Sequence, residues 1–252
     1  MNLRDKLAHY LHEFLGCNNF NDYAPNGVQI EGRENIKRIC SAVTASAEVI
    51  DHAILLHADV LLVHHGYFWR GEEPVITGMK RQRIAKLLRE NISLFAYHLP
   101  LDCHPEIGNN ACLAKLFNIK SCRMHDVGKT PNLLWSGKLD EPKATNEFLL
   151  QLQAKLNRAP LFIEGSNKLI QSVAWCSGAA QDFIEEASKL GVDAYISGEI
   201  SERTYYQAKE LGIHYFACGH HATERYGIQA LGDHLASHFQ LEHHFIDSAN
   251  PV

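Results

Sequence analysis

An apolar run, Val60-Leu61-Leu62-Val63, stops abruptly at His64-His65-Gly66, and the plan around it occurs twice in the chain. In the first half, residues 36–43 read as a strand, 46–57 as a helix and Asp59 to Val63 as a buried strand. A helix near 79–90 then leads to a strand at 92–97 that ends at His98. The second half gives a strand at 169–174, a helix at 179–190 and a strand at 193–196 ending at Ser197-Gly198-Glu199. A helix at 202–211 and a strand at 213–218, ending at Gly219-His220, complete it. Strands alternating with helices of this length restrict the chain to an α/β class with parallel strand pairs. Aligning Asp59 with Asp193, and Phe95-Ala96 with Phe216-Ala217, superposes the stretches with short insertions only. That is the signature of an internal duplication into two related α/β units.

The remaining segments fit around these units. Leu3, Leu7, Tyr10, Leu11 and Phe14 have helical spacing over residues 3–15, and Gly16 closes the segment. The cluster Asn21-Asp22-Tyr23-Ala24-Pro25-Asn26-Gly27 reads as a tight turn before a strand at 28–30. Residues 125–168 read as a strand-helix-strand piece, with a helical stretch near 143–156 among Pro131, Gly137, Pro142 and Pro160. The expected division is a first unit over 1–125, with segment 219–252 packing back on it, and a second unit over 126–218.

Composition removes several function classes. With 24 Lys and Arg against 29 Asp and Glu in 252 residues, the formal charge is −5 and no basic block exists. A phosphate-backbone binder needs clustered positive charge, so nucleic acid is disfavoured as a ligand. Aliphatic runs fall far short of the ~20 residues a bilayer crossing needs. The opening residues, Met1 to Leu7, carry both charge signs where an export signal would be apolar. Seven scattered cysteines without a C-x-x-C pair suggest neither a disulfide framework nor a thiolate zinc site. A cytoplasmic protein without a membrane partner is expected. The unusual count is 16 histidines, and imidazole is the commonest metal ligand.

Their placement carries the chemistry. Both halves run from a strand into His-x-x-x-carboxylate: His98 to Asp102, and His220 to Glu224. Ligand crevices in open α/β sheets form at the carboxyl ends of the strands, so these residues are expected to gather with His64 and His65. One divalent ion needs three or four protein ligands. Four imidazoles and two carboxylates therefore suit two ions sharing a bridge. Adjacent imidazoles on an extended chain point to opposite faces, so His64 and His65 are expected to serve two metals, or one metal and a supporting role. His104, His125, His221, His243 and His244 read as solvated or helix-capping groups, with His221 a competitor for His220. Arg70, Lys80 and Arg81 could supply charge to a phosphate but read more readily as a solvated helix face. Phe68-Trp69 read as core or subunit-interface packing more readily than as a wall for a planar substrate. Glu199 reads as a supporting acceptor or general base and not as a ligand.

The motifs Asp22-to-Gly32, His64-His65-Gly66 with Phe68-Trp69, His98-x-x-x-Asp102 with Gly108-Asn109-Asn110, Ser197-Gly198-Glu199, Gly219-to-Glu224 and Phe245-to-Val252 together span nearly the whole chain. On them the chain resembles the GTP cyclohydrolase I type 2 homologue family, the NGG-one-interacting-factor-like dinuclear metal proteins, in its short bacterial form. The resemblance implies two α/β units facing each other across a dinuclear metal cleft. It implies ligation by His64, His65, Asp102, His220 and Glu224, with Glu224 bridging and His98 an additional or adjacent ligand. It also implies toroidal homohexamers. The implied cofactor is two divalent ions per subunit, and a His/carboxylate set accepts Zn, Fe, Mn, Co or Ni. The activity that follows is metal-dependent hydrolysis: opening of the guanine ring of GTP, or attack on a related small molecule, with His98 and Glu224 as catalytic groups. The alternative is a non-catalytic metal-binding assembly or regulatory protein. No G-x-x-x-x-G-K-[ST] motif marks a triphosphate site.

Overall fold

In the computed structural model, which describes residues 1–252, the chain forms two units. One comprises Met1–Leu101 and Gly227–Ala249, the other Asp102–Tyr226 and Asn250–Val252.

The first unit opens with α1 (Leu3–Phe14), started by the Asn2 side chain, which accepts the Asp5 N–H at 2.9 Å. The helix buries Leu7 and Leu11 one turn apart. Then follow β1 (Gly27–Ile30), β2 (Arg38–Thr44), α2 (Ala47–Leu55), β3 (Val60–His65), α3 (Gly78–Arg89) and β4 (Ser93–Ala96). Strands β2, β3 and β4 are parallel, and β1 runs antiparallel along the outer edge of β4. Val60 to Val63 are buried without alternation, as a strand covered on both faces requires. Leu61 and Val63 join Val49 and Ile50 of α2 and Leu87 of α3 in one apolar core.

The second unit begins in α4 (Leu99–Asp102), a single turn, and continues through α5 (Asn109–Leu116), β5 (Lys120–Val127), β6 (Thr130–Lys143), α6 (Thr145–Leu156) and β7 (Leu161–Ile163). It is completed by β8 (Ile170–Trp175), α7 (Ile184–Lys189), β9 (Ala194–Ser197), α8 (Glu202–Leu211) and β10 (His214–Ala217). The sheet order is β5-β6-β8-β9-β10-β7. Residues 125–168 thus hold more strand than their prolines suggest, because β5 and β6 form a hairpin that turns at Gly128, φ +59°. Pro131 precedes the stretch of β6 that pairs with β8, and Pro142 falls where that register shifts. Both are places where a missing N–H costs no ladder bond. The helix expected over 179–190 starts only at Ile184. Gly178 is left-handed, and the Ala180 N–H goes to Gly178 O at 3.0 Å and Ser197 Oγ at 3.2 Å, which holds the chain out of the helix.

The duplication is visible in the hydrogen bonds. Asp59 Oδ2 accepts the Lys37 and Arg38 N–H groups at 2.7 and 2.9 Å, and Asp193 Oδ2 accepts those of Gln171 and Ser172 at 3.1 and 2.8 Å. The Ser93 N–H then meets Asp59 O, and the His214 N–H meets Asp193 O, both at 3.0 Å. Each unit carries a run of three parallel strands, β2-β3-β4 and β8-β9-β10, with an antiparallel edge strand beside the third. Even the close approach after that edge strand recurs. A Cβ on Gly32 would lie 2.5 Å from the backbone of Asn91 to Ser93, and one on Gly165 would lie 2.1 Å from Ile213 O.

Two further elements close the chain. Helix α9 (His220–Phe239) contains the boundary between the units, and β11 (Glu242–Phe245) pairs in parallel with β2 as the fifth strand of the first sheet. Gly232 inside α9 makes room for a ring, since a Cβ there would come within 2.1 Å of His243 Nε2 and displace it. No helix is long and apolar enough to cross a membrane.

Candidate metal-ligand clusters

In the first unit the parallel strands end level with one another, which brings three imidazoles together. His64 and His65 close β3, and His98 follows β4. Their ring centroids lie 4.6 Å apart for His64–His65, 5.0 Å for His64–His98 and 5.9 Å for His65–His98. One ligating nitrogen from each falls within 4.8 Å of the others. The two neighbours therefore do not diverge across the sheet as an ideal extended pair would; at the strand end both rings turn to the same place.

The Nδ1 atoms show how each ring is aimed. His64, fully buried, donates Nδ1–H to Tyr97 O at 2.9 Å. His98 donates Nδ1–H to Asp22 Oδ1 at 2.7 Å. His65 Nδ1 lies 3.1 Å from Thr44 Oγ1. A carbonyl and a carboxylate can only accept, so the tautomer of His64 and of His98 is fixed and Nε2 is the nitrogen a cation would meet. Asp22 is the residue the sequence reading passed over. It also accepts from Leu99 N–H at 2.9 Å and Asn26 Nδ2 at 2.8 Å, while Asn26 Oδ1 takes the His98 N–H at 2.7 Å. Burial pushes the Asp22 carboxyl up, but the His98 hydrogen bond and charge, with Asn26 and the Tyr23 N–H, hold it below the usual carboxylate range. The turn read as purely structural is what seats His98.

The second unit holds one imidazole in the same manner, through Nδ1 on a carboxylate. His220, first in α9, donates Nδ1–H to Glu199 Oε1 at 2.6 Å, and its Nε2 lies 3.2 Å from Glu224 Oε1 one helical turn on. Burial lowers the His220 pKa, but the hydrogen bonds and charges of Glu224 and then Glu199 overcome it and push it up to about 9. Glu224 and Asp102 are 3% and 5% exposed. Asp102 Oδ1 accepts from Asn109 Nδ2 at 2.8 Å and Ser177 Oγ at 2.9 Å. Gly178, φ +67°, passes so near that an added Cβ would sit 2.3 Å from Glu224 Oε1 and 3.2 Å from His220 Nε2. Gly178 and Ser177 left no signal strong enough to be nominated, because each is known only by what it touches, and Asn109 stood in a motif without a role.

Several other assignments change. His243 is not a solvated group: its side chain is 5% exposed, with Nδ1 2.7 Å from Asp233 and Nε2 2.7 Å from Ser41 Oγ. His221 is buried, and its backbone N–H donates to Val252 O at 3.0 Å. His104 caps no helix: it accepts the Glu106 and Ile107 N–H groups at 3.3 Å within the turn that precedes α5. Arg70 is not a helix-face charge, since it precedes α3 and donates to Asn21 Oδ1 and Asp22 O at 2.9 and 2.7 Å.

Comparison with known proteins finds relatives over the whole chain. A family model described as Duf34/NIF3 (NGG1p interacting factor 3) matches residues 1–251. An Allochromatium vinosum protein called GTP cyclohydrolase 1 type 2 homolog is 48% identical over 246 residues, 98% of this chain and 96% of its own length. A solved structure described as protein ybgI, of unknown function, is 45% identical with a TM-score of 0.95, each chain covered in full. One from Thermus thermophilus is 30% identical with a TM-score of 0.89, again over 100% of both chains.

Proposed function

The chain belongs to the Duf34/NIF3 family, and from that premise we propose that His64, His65, His98, Asp102, His220 and Glu224 would hold two divalent cations. The observation that carries this reading is the engagement of each imidazole through Nδ1, by Tyr97 O, Thr44, Asp22 and Glu199. Metal-bound histidines are oriented in that way by a carboxylate, carbonyl or other polar partner. All six donors are nitrogen or oxygen, which suits Zn, Fe, Mn, Co or Ni.

The reaction we assign is hydrolysis of a guanine nucleotide or related small molecule, as the relatives' name suggests. Bound divalent cations supply Lewis acidity and make water nucleophilic at neutral pH. The chain's own residues do the rest. Asp22 and Glu199 fix the tautomers of His98 and His220, and Ser177 and Asn109 orient Asp102; His98 would pass a proton through Nε2 only where it stands beside the cations and not on one. Self-association into a homohexamer belongs to the same reading and is checked by sedimentation velocity. Elemental analysis of purified protein, then GTP turnover with and without metal for the wild type and Glu224→Ala, tests the assignment. About two ions per subunit and turnover lost in the variant are expected. Turnover unchanged by Glu224→Ala removes the catalytic role, and metal bound without turnover leaves a metal-binding assembly.

A further inference from the structure

Phe68 and Trp69 are neighbours with different fates. Phe68 packs against the apolar core of the first unit. Trp69 belongs to no core cluster and stands half-exposed beside the imidazoles, its ring 5.0 Å from His98 at 86° and 5.9 Å from His65 at 56°. Tyr23, 58% exposed, approaches His98 from another side at 6.3 Å and 68°. Two large aromatic surfaces thus meet water next to the ligand set.

They are also held rigidly. Gln29 pins the loop ahead of Trp69, its Oε1 accepting the Tyr67 N–H at 2.6 Å and its Nε2 donating to Tyr67 O at 3.0 Å. Behind Trp69, the Arg70 N–H donates to Tyr23 O at 2.6 Å and its guanidinium to Asn21 and Asp22 of the same loop. The chain between adopts φ +64° at Phe68, a left-handed conformation that a bulky residue takes only at a cost. Pinned loops with local strain that expose an indole are a prepaid binding surface.

We propose that Trp69 and Tyr23 form a stacking subsite for a planar heteroaromatic ring, which they present to His65 and His98. A flat ring gains from the indole and phenol faces what an aliphatic group does not. Its edge nitrogens and oxygens would meet the imidazole side, a polarity an apolar peptide could not match. The inference deepens the hydrolase reading and rests on it for the meaning of the site, but its test needs no turnover.

Trp135 and Trp175 are 5% and 0% exposed, so Trp69 is the tryptophan whose emission a ligand at this site can change. Full-length protein is titrated with guanosine and, separately, with ribose 5-phosphate, with and without metal, in the wild type, Trp69→Phe, Trp69→Ala and Tyr23→Ala. Saturable quenching by guanosine alone is expected, absent from both Trp69 variants. Affinity followed calorimetrically should fall roughly 5- to 150-fold in Trp69→Ala, the equivalent of ~1–3 kcal/mol per stacked base, and far less in Trp69→Phe. No saturable quenching, equal quenching by ribose 5-phosphate, or Trp69 shielded from acrylamide by a second copy of the chain overturns the proposal. Metal present without guanosine quenching removes the subsite and leaves the hydrolase reading. Quenching in protein that takes up no metal when metal is supplied removes the hydrolase reading and leaves the subsite.

Discussion

Gly178→Ala separates two penalties that usually arrive together. The first is backbone strain: φ is +67°, and a left-handed L-residue costs roughly 1–2 kcal/mol. The second is collision, because the new Cβ would lie 2.3 Å from Glu224 Oε1. Gly191 supplies the control, with φ +69° and nothing within 4 Å of an added Cβ. Gly191→Ala therefore meets strain alone. At ~2–4 °C per kcal/mol for a chain of this size, it should lower the melting temperature by roughly 2–8 °C and leave metal content unchanged. Gly178→Ala meets the same strain and must also displace a buried carboxylate that faces His220. It should melt lower than the control and hold less metal at equal free concentration. Thermal melts by circular dichroism, paired with elemental analysis after equilibrium dialysis, read both quantities. Equal metal content in the two variants would refute the argument that Gly178 is there to let Glu224 and His220 approach.

Other perturbations test other levels. Glu199→Gln removes the carboxylate that holds His220, and metal affinity by competitive chelator titration should drop about 10–100-fold with little change in apo-protein melting. Phe148, fully buried and edge-on to Phe216 at 5.4 Å, should cost ~3–5 kcal/mol on replacement by alanine, seen as a lower urea midpoint. Asp193 is pushed up by burial, yet the Ser172 hydroxyl, the N–H groups of Ser172 and Gln171 and the Lys168 charge hold it below 3.8. Its folded pKa is the lower one, so its stabilisation is complete above the unfolded value and is lost as pH falls through the folded value. Asp193→Asn should accordingly be less stable at pH 7 and show a shallower loss of stability below about pH 4; an unchanged acid limb would exclude this role.

What the sequence disclosed follows from the range of the signal. His64, His98 and His220 are legible because each ends an apolar run, and a strand end is a local pattern. The repeat was legible for the same reason, and Asp59 and Asp193 mark the alignment that their matching hydrogen bonds support. Asp22 was not, because it meets His98 across 76 positions, and a residue in a turn cluster carries no trace of what folds onto it. Helix α9 was not among the expected elements, although His220 and Glu224 at its start were singled out. The expected opposition of His64 and His65 failed because pleat alternation holds inside a ladder and relaxes at its last rung.

The pairing of β11 with β2 sets a timetable for biosynthesis. Strand β2 is made early, yet the neighbour that covers its outer edge lies about two hundred residues downstream. At ~5–20 residues per second that leaves the edge bare for roughly 10–40 seconds on the ribosome. During that interval Ile39 to Val43 offer unpaired amides to any passing strand. The first sheet begun is thus the last to be completed, and a nascent chain stalled before Glu242 presents the edge of β2 as a sticky template where the finished one has it paired.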